Sequence, residues 1–126
     1  MGARINYVFQ DSEQGPMVVL YSHWGQTQWE TDIAGALEHA RPRWSDASYA
    51  TRMIISYLMQ HEILDEHGFG IYAIPNNGSL DLGEQTVLID FTTNTVTDNV
   101  SVPFEKFVDA YSLTERTVGV GSPLSI

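Results

Sequence analysis

The chain contains no cysteine. That excludes disulfides, thiolate metal centres and cysteine nucleophiles. Positive charge is nearly as scarce. One lysine and five arginines stand against sixteen acidic residues, a formal charge of −10. Proteins that track a nucleic-acid backbone need a cationic field to displace counterions, so nucleic acid is not an expected partner. Long hydrophobic runs are missing as well. The longest candidates, Met17 to Tyr21 and Met53 to Met59, fall far short of the ~20 residues that a membrane span requires. The opening Met1-Gly2-Ala3-Arg4-Ile5-Asn6 has no apolar core of a secretory signal, and Asn6 stands where a myristoylation motif wants Ser or Thr. The expectation is a soluble cytoplasmic protein with no membrane partner.

Apolar residues make up 43% of the 126 positions, enough for one core. The expected organisation is a single domain over 1–112 followed by a loose tail, 113–126, rich in Gly and small polar residues.

Hydrophobic period divides the domain into elements. Arg4 to Gln10 alternates, with Ile5, Tyr7 and Phe9 on one face of a strand. Met17 to Tyr21 is continuously apolar, as a strand covered on both faces would be. With the polar turn between them, the two form an antiparallel hairpin. Thr27-Gln28-Trp29-Glu30 has the spacing of a capping box, and Trp29, Ile33, Ala36, Leu37 and Ala40 continue at helical intervals. Arg41-Pro42 ends that helix. A second helix starts at Ser45 to Ser48 and runs to about Ile63 or Leu64, with Gly68 as a stop. Phe69 to Ile74 and Gln85 to Thr93 read as strands, with Thr95 to Thr97 as a short extra strand after Asn94. Pro103 suits the first turn of a third helix carrying Phe104, Phe107, Val108 and Tyr111. The order β-β-α-α-β-β-(β)-α predicts an α+β fold, an antiparallel sheet with helices packed on one face.

The segment most suggestive of a site is Tyr21-Ser22-His23-Trp24-Gly25, between a strand end and a helix start. Unpaired N–H groups at such a junction favour an anion or a carbonyl, Gly25 permits close approach, Trp24 offers a stacking face, and His23 titrates near neutrality. Ordinary packing is the competing explanation. Arg41, Arg43 and Arg52 cluster near Trp44, either as an anion site or as partners for nearby carboxylates. Arg52 opens a mostly apolar stretch, so it is either paired or aimed into the same pocket as His23. His61 and His67 do not make a zinc helix. Asp65 stands four residues after His61, and His67, six residues after it, falls on another face. No metal and no cofactor are expected. Asp90, between Ile89 and Phe91, lies either on a buried or on a solvated face. No nucleophile elbow, P-loop or dinucleotide fingerprint is present.

Ala3-Arg4-Ile5-Asn6 and Leu20-Tyr21-Ser22-His23-Trp24-Gly25 resemble segments of a group of small uncharacterised proteins from actinobacteria and their phages. The shared feature is a Y-[RS]-H-[WS]-[DG]-G-type segment after the second strand. Here Gln26 stands where relatives often carry a second glycine. The resemblance implies a phage or accessory-genome context, hence the host cytoplasm, and assigns no catalytic residue. Binding is therefore expected over catalysis. The leading expectation is capture of a small, polar, nucleotide-like ligand by Tyr21, Ser22, His23, Trp24, Gly25 and Arg52. The alternatives are a module that inhibits a host protein, and a small hydrolase using His23 with Asp90 or another carboxylate. A monomer and a homodimer both fit.

Overall fold

In the computed structural model the described residues are 4–23, 26–77, 80, 82–83 and 85–111. The expected tail, 113–126, lies outside them. Strands β1 (Ile5–Gln10) and β2 (Met17–Ser22) come first, then helices α1 (Trp29–Ala40) and α2 (Ala47–Met59). Strands β3 (Phe69–Ile74), β4 (Gln85–Asp90), β5 (Thr95–Thr97) and β6 (Ser101–Pro103) follow, and helix α3 covers 104–111. The class is α+β, as expected. All six strands form one sheet in the order β3-β2-β1-β4-β5-β6.

The sheet is mixed, which corrects the expectation of purely antiparallel pairing. β1 and β4 run parallel, in register from Ile5 opposite Gln85 to Gln10 opposite Asp90, and every other pair is antiparallel. The reason lies in the composition of β4. Val87 and Ile89 are fully buried on one face and Leu88 is half-buried on the other, so β4 needs neighbours on both sides. The open edge of β1 supplies one of them and β5 the other. β6 was not anticipated from the sequence. It adds a strand after Asp98–Val100 and blunts the sheet edge with Pro103.

The face carrying Ile5, Tyr7, Phe9, Leu20, Val87, Ile89 and Val96 packs against all three helices. Every residue expected on the buried stripe of α1 is buried. On the opposite face, Val8, Met17 and Val19 are covered by Leu80 and Leu82 from the connection between β3 and β4. That connection must cross β2 and β1 to bring β4 to its place, and it closes the second face as it goes.

Several boundaries differ from the expected ones. The capping box does not form. Gln26–Gln28 is a 3₁₀ turn, and Gln28 precedes α1 without a side-chain cap. The tighter entry sets Trp29 against Phe107, with ring centroids 5.7 Å apart. α2 ends at Met59 rather than near Leu64, because the Gln60 side chain donates back to the Tyr57 carbonyl at 2.9 Å and successive turns follow. β4 stops at Asp90, whose carboxylate accepts from the Thr92 N–H at 2.9 Å and from the Thr92 hydroxyl at 2.6 Å. Asn94, at φ 54°, reverses the chain into β5, and its carbonyl accepts from Phe104 N at the start of α3.

α1 and α2 pack closely at Gly35. A methyl group there would meet the Tyr57 hydroxyl and stand 2.9 Å from Tyr57 Cζ. We expect Gly35→Ala to lower stability by about 1 kcal/mol, overpacking outweighing the gain in helix propensity. In a Tyr57→Ala background the same change should stabilise by up to about 1 kcal/mol. Denaturant titration of the four proteins checks this. Equal effects in both backgrounds would show that the contact is not tight.

Candidate functional site

The segment from Tyr21 onward is split by strand alternation. Ser22 lies opposite Ile5 on the helix-covered face and is 4% exposed. Tyr21 and His23 point to the other face, where their rings meet edge-on at 5.1 Å. Arg4 joins them, its guanidinium carbon 5.3 Å from the Tyr21 ring centroid. The backbone N–H of His23 donates to the Gly68 carbonyl at 3.0 Å, which extends the β2–β3 ladder by one pair. Trp24 and Gly25 lie outside the described residues.

Arg52 is not brought to this group. It is exposed on α2, in the helix layer on the other side of the sheet, and donates to the Ser56 hydroxyl at 3.4 Å. Asp90 is also remote from His23. Parallel register sets Asp90 beside Gln10, whereas antiparallel register carries Arg4 towards His23 at the opposite end of β1. Six strand positions separate those ends, about 20 Å. The strand register therefore separates the His23–Asp90 pair considered for a hydrolase.

The arginines near Trp44 are engaged with carboxylates and rings. Arg41 reaches Glu38 at 2.9 Å and Glu105 at 3.0 Å, and these bonds, Glu38 first, raise its already high pKa. It also covers the Trp44 ring at 4.6 Å. Trp44 is further fixed by its indole N–H, which donates to the Leu37 carbonyl at 2.9 Å, and by Phe104 edge-on at 5.2 Å. Arg43 is held more loosely, 3.8 Å from Asp46 and 4.6 Å above the Tyr49 ring.

Beside Arg43 opens a cleft of about 960 Å³. Its walls are Asp11 after β1, Arg43 to Ser48 at the start of α2, and Phe91 to Asn94 after β4. This is the carboxyl end of the parallel pair. β1 is followed by β2 on one side and β4 by β5 on the other, so the two chains diverge and leave a gap between them. The lining is predominantly polar. Ser45, Ser48, Thr92 and Thr93 bring hydroxyls, Asn94 a carboxamide, Asp11 and Asp46 carboxylates, and Trp44 and Phe91 aromatic surface. Sequence reading grouped Arg43 with Trp44 but missed the partnership with the β4–β5 turn. That partnership depends on β4 running parallel to β1, and no local signal announces it.

Tyr7 has a strongly displaced titration. It is buried between the sheet and α1, and burial, followed by Asp32 and Glu30, pushes its phenol well above the ordinary range. Its place in the core makes this a folding effect and not a catalytic one. Among the described residues no group of three metal-ligating side chains converges. No family model matches the chain, and neither a curated protein nor a solved structure matches it.

A raised phenol pKa favours the neutral form in the folded state. Its stabilising contribution is fully present below the unfolded value near 10 and is lost as pH rises above it. We expect stability to fall between about pH 10 and pH 11, and Tyr7→Phe to flatten that fall. Denaturant unfolding across this range checks the assignment. Parallel profiles for the two proteins would refute it.

Proposed function

We propose that this is a non-catalytic binding protein whose cleft beside Arg43 takes up a small, polar, uncharged ligand of the nucleoside or sugar class. The observation that carries the reading is the cleft at the diverging ends of β1 and β4. Its volume falls in the range of small-molecule sites. The lining favours a hydroxyl-rich molecule. Ser45, Ser48, Thr92, Thr93 and Asn94 both donate and accept, and Asp11 and Asp46 accept. A phosphate would have to approach those carboxylates with Arg43 as the single basic side chain in the lining. This moves the expected ligand from nucleotide-like towards its uncharged counterpart, and from the Tyr21–Gly25 segment to the opposite end of β1. The described lining offers hydroxyl, carboxamide and carboxylate groups suited to holding a polar molecule. The resemblance to phage and actinobacterial proteins suggests that such a ligand would be a host metabolite.

Ligand-observed NMR against nucleosides, nucleoside monophosphates and simple sugars tests the reading, with Trp fluorescence as a second readout. Uncharged ligands should bind more tightly than their phosphorylated forms. Ser48→Ala and Thr92→Val together should weaken binding by about ten-fold, near 1.4 kcal/mol, with unchanged circular dichroism. No binding from any of the three classes, or binding unaffected by these substitutions, would reject the proposed site.

A further inference from the structure

The two edges of the sheet are treated differently. β6 is three residues long and contains Pro103. β3, the other edge, is six residues long, Phe69-Gly70-Ile71-Tyr72-Ala73-Ile74, without charge and without proline. Ile71 is 56% and Tyr72 43% exposed. An uncharged, unblunted edge of this length is a template for another strand.

The direction of the backbone groups that no other described strand pairs follows from the ladder. His23 donates to Gly68, so this pair is hydrogen-bonded, and pairs alternate along an antiparallel ladder. Gly70, Tyr72 and Ile74 therefore bond to β2. Phe69, Ile71 and Ala73 point their N–H and C=O groups outward.

We propose that β3 pairs antiparallel with β3 of a second copy of this chain, about a two-fold axis at Ile71, joining two sheets into one. Three features select this occupant. First, the register centred on Ile71 matches outward groups to outward groups, Phe69 with Ala73 of the copy and Ile71 with its own counterpart, giving about six backbone hydrogen bonds. Shifting by one step in one direction brings Pro75, which has no N–H, opposite Phe69. Shifting in the other direction runs the pairing off the strand into His67. Second, side-chain sizes are complementary in that register. Phe69 faces Ala73, and Tyr72 faces Gly70 on the opposite sheet face, where the Tyr21 ring already flanks Gly70 and no Gly70 side chain opposes the incoming Tyr72. Third, charge favours the antiparallel arrangement. Glu62, Asp65 and Glu66 precede β3, while Pro75-Asn76-Asn77 follow it. Antiparallel pairing sets the acidic approach against the uncharged exit, whereas parallel pairing would bring the two acidic approaches together.

α2 widens the contact. Tyr57 faces Gly35 of α1, and around the helix Leu58 lies about 100° and Ile55 about 160° from it, so both turn away from α1. Both are half-buried. With Ile71 they supply apolar surface on the helix-covered side of the axis. The proposal is independent of the cleft beside Arg43, which involves no residue of β3.

Sedimentation velocity of the full chain tests it, over protein concentrations up to hundreds of micromolar. We expect a species of twice 14.1 kDa. Each chain carries −10, so the dimer should strengthen on going from low salt to ~0.5 M sodium chloride, where screening acts within about 4 Å. Ile71→Lys and Ile71→Glu each place like charges face to face on the axis, and each should weaken dimerisation more than ten-fold while leaving a folded monomer by circular dichroism. Mixing the two variants should restore a heterodimer, a recovery that misfolded chains would not give. A wild-type monomer at every concentration and salt, a dimer untouched by either variant, or no recovery on mixing would each overturn the proposal.

Discussion

The placement of β4 is the constraint on which the remaining architecture depends. Val87, Leu88 and Ile89 are apolar on both faces, and a strand of that kind is stable only in the interior of a sheet. The hairpin of β1 and β2 offers two edges, and β3 takes the one on β2. β4 therefore docks on β1, parallel to it. Three consequences follow. The chain must cross β2 and β1, and in crossing it lays Leu80 and Leu82 over Val8, Met17 and Val19. The ends of β1 and β4 come side by side while their continuations diverge, which opens the cleft beside Arg43. Among the described residues β3 is left with one partner strand and becomes an edge.

Much of the local structure was legible because it rests on short-range periodicity. Ile5, Tyr7 and Phe9 alternate, Trp29 to Ala40 recur at helical spacing, and Phe104, Phe107 and Val108 form a stripe. All are buried against one another. What was not legible depends on pairs distant in sequence. Nothing between Gln85 and Asp90 states that the strand lies beside Ile5 to Gln10. The capping box failed for a related reason. Thr27 and Glu30 have the right spacing, but the entry to α1 is drawn into a 3₁₀ turn as Trp29 seats on Phe107, and tertiary packing overrides the local signal.

The candidate site shows the same division. Tyr21 to Gly25 attracted attention through its residue types, yet a period of two sends Ser22 to one face and Tyr21 and His23 to the other. Residues adjacent in sequence are poor partners on a strand. Arg52 heads a mostly apolar stretch, which from sequence suggests a pocket shared with His23, but the sheet separates it from His23. Arg43 and Trp44 were read as neighbours of a basic cluster. What completes the cleft beside them is the turn Phe91 to Asn94, distant in sequence.

For the proposed ligand, local pairing in the cleft matters more than net charge. Two unit charges 10 Å apart in water interact by only about 0.4 kcal/mol, before screening by salt. The distant carboxylates therefore bias approach without fixing specificity. Within the lining, Arg43 is 3.8 Å from Asp46 and exposed, a pair worth at most about 1 kcal/mol. It can be drawn away at little cost, whereas Arg41 is held by Glu38 and Glu105 together and by the Trp44 ring. Releasing Arg43 to a phosphate, however, would leave Asp46 unpaired beside the incoming charge, with Asp11 in the same lining. A neutral polyol meets no such conflict. It can accept from Arg43, donate to Asp46 and leave the pair in place, and on that difference rests the proposed preference for an uncharged ligand.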